Sequence, residues 1–253
     1  MTMLTVIALA AMAMQTEPMG RDEVVAAINA RPTQTAAIDP FSAAPPSDLA
    51  GRDVAFTTPI LMADAPDGSP LFQWIYDLGK QRLSIRILPM DYNGSTAFIE
   101  NDDFVVPVLT PVSGWAVKQT STRGGRREMS NAYGARVMAE VVETKTWAVA
   151  EIAVSSRRGA ELPGRQYPFY THVMEIEPDE ARLLTSSLRF EARGSVRDFT
   201  PGRNVVCGSN FVSATVSNPR QTSGETCVLS VEWSSFAIID GRTNTPVKVW
   251  AED

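Results

Sequence analysis

Acid–base or nucleophilic chemistry in this chain has few side chains to draw on. There is one histidine, His172, in the stretch YPFYTHVMEIEPDE, and there are two cysteines, Cys207 and Cys227. A catalytic histidine needs a nucleophile or water on one side and an orienting group on the other, all within hydrogen-bonding reach. The acids that follow, Glu175, Glu177, Asp179 and Glu180, supply carboxylates of the kind a glycosidase pairs. A plainer reading competes. On a strand, Tyr170, His172, Met174 and Ile176 share one side, while Thr171, Val173 and Glu175 take the other. The imidazole is then a half-buried neighbour of apolar groups. Pro178 followed by Asp179 and Glu180 is the pattern of a helix start, which accounts for most of the acids.

Other chemistries lack their signatures. The chain has no G-x-S-x-G, no H-E-x-x-H and no C-x-x-C. A single histidine excludes a multi-histidine zinc site within one chain. No phosphate loop or dinucleotide fingerprint is present, and no cofactor is expected. Two clusters offer weaker signals. Asp91, Asn93, Glu100, Asp102 and Asp103 in DYNGSTAFIENDD are oxygen donors of the type calcium takes. Their spacing departs from an EF-hand loop, because Gly94 stands at the fourth position rather than the sixth, and solvated hairpin ends explain them equally. Arg123, Arg126 and Arg127 in STRGGRREMS read as a polar, glycine-bearing loop, able to meet an anionic lipid headgroup or polysaccharide.

Composition narrows the setting. The chain has 253 residues, 44% hydrophobic and 21% charged, with a formal net charge of −6. This is globular composition, and its charge disfavours nucleic acid as a partner. The N-terminus, MTMLTVIALAAMAMQTEP, carries no charged side chain before Glu17. It is too short to span a bilayer and ends in an A-x-A-like site, so residues 1–13 read as an export signal without the usual basic start. The mature chain is then expected to be periplasmic or secreted, to lack a transmembrane span and to join Cys207 to Cys227 in a disulfide.

The elements that must position these groups are mostly strands. MGRDEVVAAINARP reads as a short helix, followed by a proline- and alanine-rich stretch to residue 50. From Gly51 onward, segments such as RLSIRIL and LRFEARGSV alternate apolar and polar residues. Residues 135–155 read as strands despite their alanine content, and a second helix is expected near 178–187. The fold class is therefore mainly β: an antiparallel, sandwich-like arrangement of short strands over 51–253. This is one large or two small domains, with a subdivision near 160–195 left open.

The cysteines pose a register problem. A hairpin that opposes them would centre on Ser217, yet RQTSGET (220–226) reads as loop and moves the centre to Gln221. The bridge is then expected to tie a strand start to a neighbouring element, unless the strand limits lie elsewhere. In function, the sequence favours a non-catalytic binding or structural module of the cell envelope, with a protein, glycan or lipid partner. The alternatives are a hydrolase built on His172 and a subunit of a surface or virion assembly. Oligomeric state is not written in the sequence.

Overall fold

The computed structural model describes residues 17–30, 47–66, 71–88, 98–99, 108–130, 134, 136–155, 170–199, 202–215 and 217–251. The expected export signal and the cluster Asp91, Asn93, Glu100, Asp102 and Asp103 lie outside them. Within them the chain runs α1 (Arg21–Asn29), β1 (Asp53–Pro59), β2 (Leu61–Met62), β3 (Phe72–Asp77), β4 (Arg82–Ile87), β5 (Phe98–Ile99), β6 (Val108–Ser130) and β7 (Arg136–Ser155). It continues through β8 (Tyr170–Glu175), α2 (Pro178–Thr185), β9 (Leu188–Val196), β10 (Val205–Val212), β11 (Arg220–Asp240) and β12 (Thr245–Ala251).

Two sheets result, and the fold is the mainly β, sandwich-like arrangement the alternation implies. The smaller has the order β2-β3-β4-β8. The larger has eight strands in the order β1-β9-β11-β7-β6-β5, with β10 and β12 also paired to β11. Strand β11 serves two neighbourhoods. Its first half, Arg220–Ser230, runs between β7 and β10; its second half lies between β9 and β12, beyond an irregularity at Trp233/Ser235. Pairing is antiparallel except for β7 with β11 and β2 with β3.

One buried cluster joins the two sheets. Phe72 of the smaller sheet reaches Phe190 of the larger at a ring separation of 5.6 Å, and Tyr170 reaches Phe236 at 4.7 Å. Trp115 of β6 sits at the centre, fully buried, 5.0 Å from Phe190 and 5.4 Å from Trp233. Its indole N–H donates to the Leu88 carbonyl at 3.1 Å, so the ring buries without stranding its one donor. Helix α1 joins the same cluster through Val24 and Ile28, four residues apart on one helical face. At its start the Gly20 N–H donates to Glu23 at 3.1 Å; at its end Asn29 accepts from the Trp147 indole at 3.0 Å.

The strands depart from expectation in length. β6, β7 and β11 run for 23, 20 and 21 residues. Two stretches that read as loops belong to them. STRGGRREMS (121–130) is strand, paired with β7 and absorbing Gly124–Gly125 as a bulge between Arg123 and Arg126, where Gly125 takes φ +83°. RQTSGET (220–226) is strand between β7 and β10. Both are polar because no core covers them, not because the backbone turns; Thr and Ser suit such a pleat well. At the β11 irregularity, Gly194 allows close approach: a Cβ there would stand 2.3 Å from the Glu232 carbonyl oxygen. Gly194→Ala is expected to cost about 1–3 kcal/mol by overpacking, read as a lowered urea midpoint.

Two carboxylates pin the connections. Asp240 accepts from the Arg242 backbone N–H at 2.9 Å, from its Nε and Nη2 at 3.0 and 2.7 Å, and from Ser187 Oγ at 3.1 Å. The Arg242 side-chain bonds hold its carboxyl well below the usual range. Asp198 is partly desolvated, which pushes its carboxyl up, but donors from Ser47, Gly202 and Asn204 outweigh this and lower it. Those bonds include Ser47 Oγ at 2.6 Å and tie the start of the compact region to the β9–β10 connection. Because both groups are depressed in the folded state, their stabilisation is present above the unfolded carboxylate value and is lost as pH falls below it. Stability should therefore drop on acidification below about pH 4. Asp240→Asn should flatten that acid limb in urea titrations; an unchanged limb would contradict the assignment.

Candidate functional site

His172 lies on β8, opposite Ile85 of β4, on the side it shares with Tyr170 and Met174. The alternation read from the sequence is found: Tyr170 is buried, His172 and Met174 half-buried, Thr171, Val173 and Glu175 exposed. His172 makes no hydrogen bond or ion pair to another described residue. Burial, then the Lys248 cation, pushes its pKa below the ordinary imidazole value. The nearby acids turn to other tasks. Glu177 accepts from Gln81 at 3.2 Å and Asp179 pairs with Arg182 at 2.8 Å at the start of α2. An imidazole so placed favours its neutral form. Its proton titration by NMR is expected below 6.5, and a midpoint above that would contradict this environment.

The cysteines are directly opposed in the β10–β11 hairpin and form a disulfide, with Cα atoms 4.1 Å apart. The register problem resolves through the strand limits: with 220–226 in β11, the connection falls at 213–219 and centres near Ser217. The expectation that the bridge would tie a strand start to another element is corrected accordingly. Glu225 approaches both sulfurs closely enough to form a three-donor group. Bridged sulfurs carry no thiolate charge, so this group is not a metal site and neither cysteine is a nucleophile.

The bridge stands at the root of an extended four-stranded face. Register places side chains in rows across β6, β7, β11 and β10. The first row is Lys118, Trp147, Cys227 and Cys207; the next is Thr120, Lys145, Glu225 and Ser209; the third is Thr122, Glu143, Ser223 and Phe211. Lys118 and Lys145 lie over the Trp147 ring at 5.5 and 5.1 Å, and Lys145 also pairs with Glu225 at 3.1 Å. The last two rows line an open concavity of about 590 Å³. Phe211 forms its outer wall and is 59% exposed. Of the five tryptophans, Trp115, Trp147 and Trp233 are buried and Trp74 and Trp250 half-buried. The available ring is a phenylalanine, legible only once β10 is seen as a strand with this register.

The three arginines lie beyond the concavity, on the distal part of β6. Arg123 pairs with Glu140 at 3.4 Å. Arg126 stands opposite Glu140 and Arg127 opposite Ala139, and neither forms an ion pair with a described residue. Among the described residues β5 pairs β6 only at Val108 and Leu109, so the outer edge of β6 beyond them has no strand partner. Exposed cations and the Gly124–Gly125 bulge are the devices that keep such an edge from pairing with another chain.

Comparison with protein-family models, with curated proteins and with solved structures finds no match to this chain. The site must therefore be read from its own chemistry. A second concavity, of about 340 Å³, lies beside α1 and is lined by Pro18, Val24, Phe56, Val117 and Val149 among others. Its polar side chains are Glu17, Arg21 and Thr57, and the rest of its lining is mostly apolar. On the distal face, hydroxyls, a fixed ion pair and an accessible ring share a concave surface.

Proposed function

We propose that this protein is a non-catalytic binding module of an oxidising compartment, periplasmic or secreted, whose distal sheet face holds a glycan strand. The observation that carries this reading is the concavity between Thr120, Thr122 and Phe211. Five hydroxyl-bearing residues, Thr120, Thr122, Thr144, Ser209 and Ser223, line it with the Lys145–Glu225 pair. Sugars present hydroxyl groups that exchange hydrogen bonds with such groups, and apolar C–H faces that stack on an aromatic ring. The groove is open and shallow, as suits a polymer rather than an enclosed small molecule. The disulfide supports the oxidising compartment, and the apolar N-terminal segment agrees with export. No helix among the described residues is long and apolar enough to cross a membrane. Phe211→Ala should weaken glycan binding by roughly tenfold, a ring-stacking contribution of about 1.5 kcal/mol. Isothermal titration with soluble hexasaccharides checks it; equal affinity for the variant would exclude the ring from the site.

A further inference from the structure

The opposite face of the same strands carries a different signal. Direct register partners share a face, so Arg126, Glu140 and Arg220 form one row across β6, β7 and β11. Arg123, Val142, Thr222 and Val212 form the next. Further out, Arg136 stands opposite Ser130, and Met138 opposite Glu128. Over residues 121–141 and 209–223 there are five arginines against two glutamates, in a chain whose total is −6. Glu140 is shared with Arg123 at 3.4 Å and Glu128 with Arg136 at 3.3 Å, which leaves Arg126, Arg127 and Arg220 without an ion pair to a described residue; of these, Arg126 and Arg220 stand on this face, and Arg127, opposite Ala139, on the other. Among these cations two apolar side chains stand in solvent: Met138 is 54% exposed and Val212 54%.

We infer that this distal end docks onto an anionic lipid surface, the arginines meeting phosphate headgroups while Met138 and Val212 enter the boundary beneath them. Charge complementarity selects an anionic partner. The apolar pair selects a membrane over a soluble polyanion, which offers no apolar layer to receive it. The geometry suits a surface met along this face. From Lys118 to Ser130, β6 extends about 40 Å, and the disulfide ties β10 to β11 at the root of the same sheet. The docking face is separate from the groove of Thr120, Thr122 and Phe211, so one assignment can fail without the other.

The test is flotation of the full chain with vesicles of phosphatidylcholine alone and with about one third phosphatidylglycerol. Binding to the anionic vesicles only, weakening as salt rises, is the expected result. Arg126→Ala combined with Arg220→Ala should lower the partition coefficient roughly 30-fold. Met138→Ser combined with Val212→Ser should lower it severalfold while keeping the salt dependence. All four positions lie outside the buried core, and an unchanged thermal midpoint shows that the variants fold. Equal binding to both vesicles, or no binding, overturns the proposal. Dextran sulfate binding that the Met138/Val212 variant retains in full, with vesicle binding equally unaffected, assigns the face to a soluble polyanion instead and also overturns it.

Discussion

Replacing Trp115 by alanine lowers the unfolding free energy by about 3–5 kcal/mol, the range for deleting a large aromatic side chain from a packed interior. The ring is fully buried and stands within 6.3 Å, centroid to centroid, of Phe56, Phe72, Phe190, Trp233 and Phe236. Those rings come from β1, β3, β9 and β11, so the cavity would open where the two sheets meet and no single strand could shift to close it. The loss would also leave the Leu88 carbonyl without its 3.1 Å donor, a further cost if water cannot reach it. Trp115→Phe keeps most of the volume but not the donor, and should fall between the variant and the native chain. Urea denaturation followed by circular dichroism measures all three. A loss below about 1 kcal/mol for the alanine variant would show that the sheets are not held at this point.

The second large effect belongs to the disulfide. Cys207 and Cys227 are 20 positions apart in sequence, and closing such a loop stabilises the folded chain by about 3 kcal/mol in the chain-entropy model. Cys207→Ser combined with Cys227→Ser should lower stability by about that amount. The change should be uneven across the molecule. The core rows of β9 and the second half of β11 are flanked by strands on both sides, whereas among the described residues β10 has no strand partner but β11. Amide exchange should therefore speed first in 205–212 and 220–227, carrying Ser209, Phe211 and Ser223 with them. Uniform exchange across the whole chain would contradict a local role for the bridge.

The fold class could be read from the sequence because the core strands obey a simple rule. In LRFEARGSV the apolar residues Leu188, Phe190, Ala192 and Val196 are all buried, and Pro178 begins the second helix. The same rule failed at 121–130 and 220–226. There the side chains are polar on both faces, no apolar period marks the pleat, and only pairing with β7 reveals a strand. The distal faces were hidden for the same reason. Their rows bring together residues from four strands up to about a hundred positions apart, and no local spacing encodes that register. The cysteines came closest to revealing it, since opposing them demands a centre at Ser217. His172 drew attention through rarity, and its neighbours Met174 and Tyr170 already described its surroundings.

The central claim is that the concave distal face binds a glycan strand. It is tested most directly by mapping amide shifts in the labelled protein as soluble hexasaccharides of glucose, N-acetylglucosamine and xylose are added. The expected result is that at least one shifts amides of residues 120–122, 143–145, 209–211 and 223–225, and that Phe211→Ala raises the sugar concentration needed for the change by roughly tenfold. Shifts centred on His172 or on the concavity beside α1, or none with any of the sugars, would contradict it.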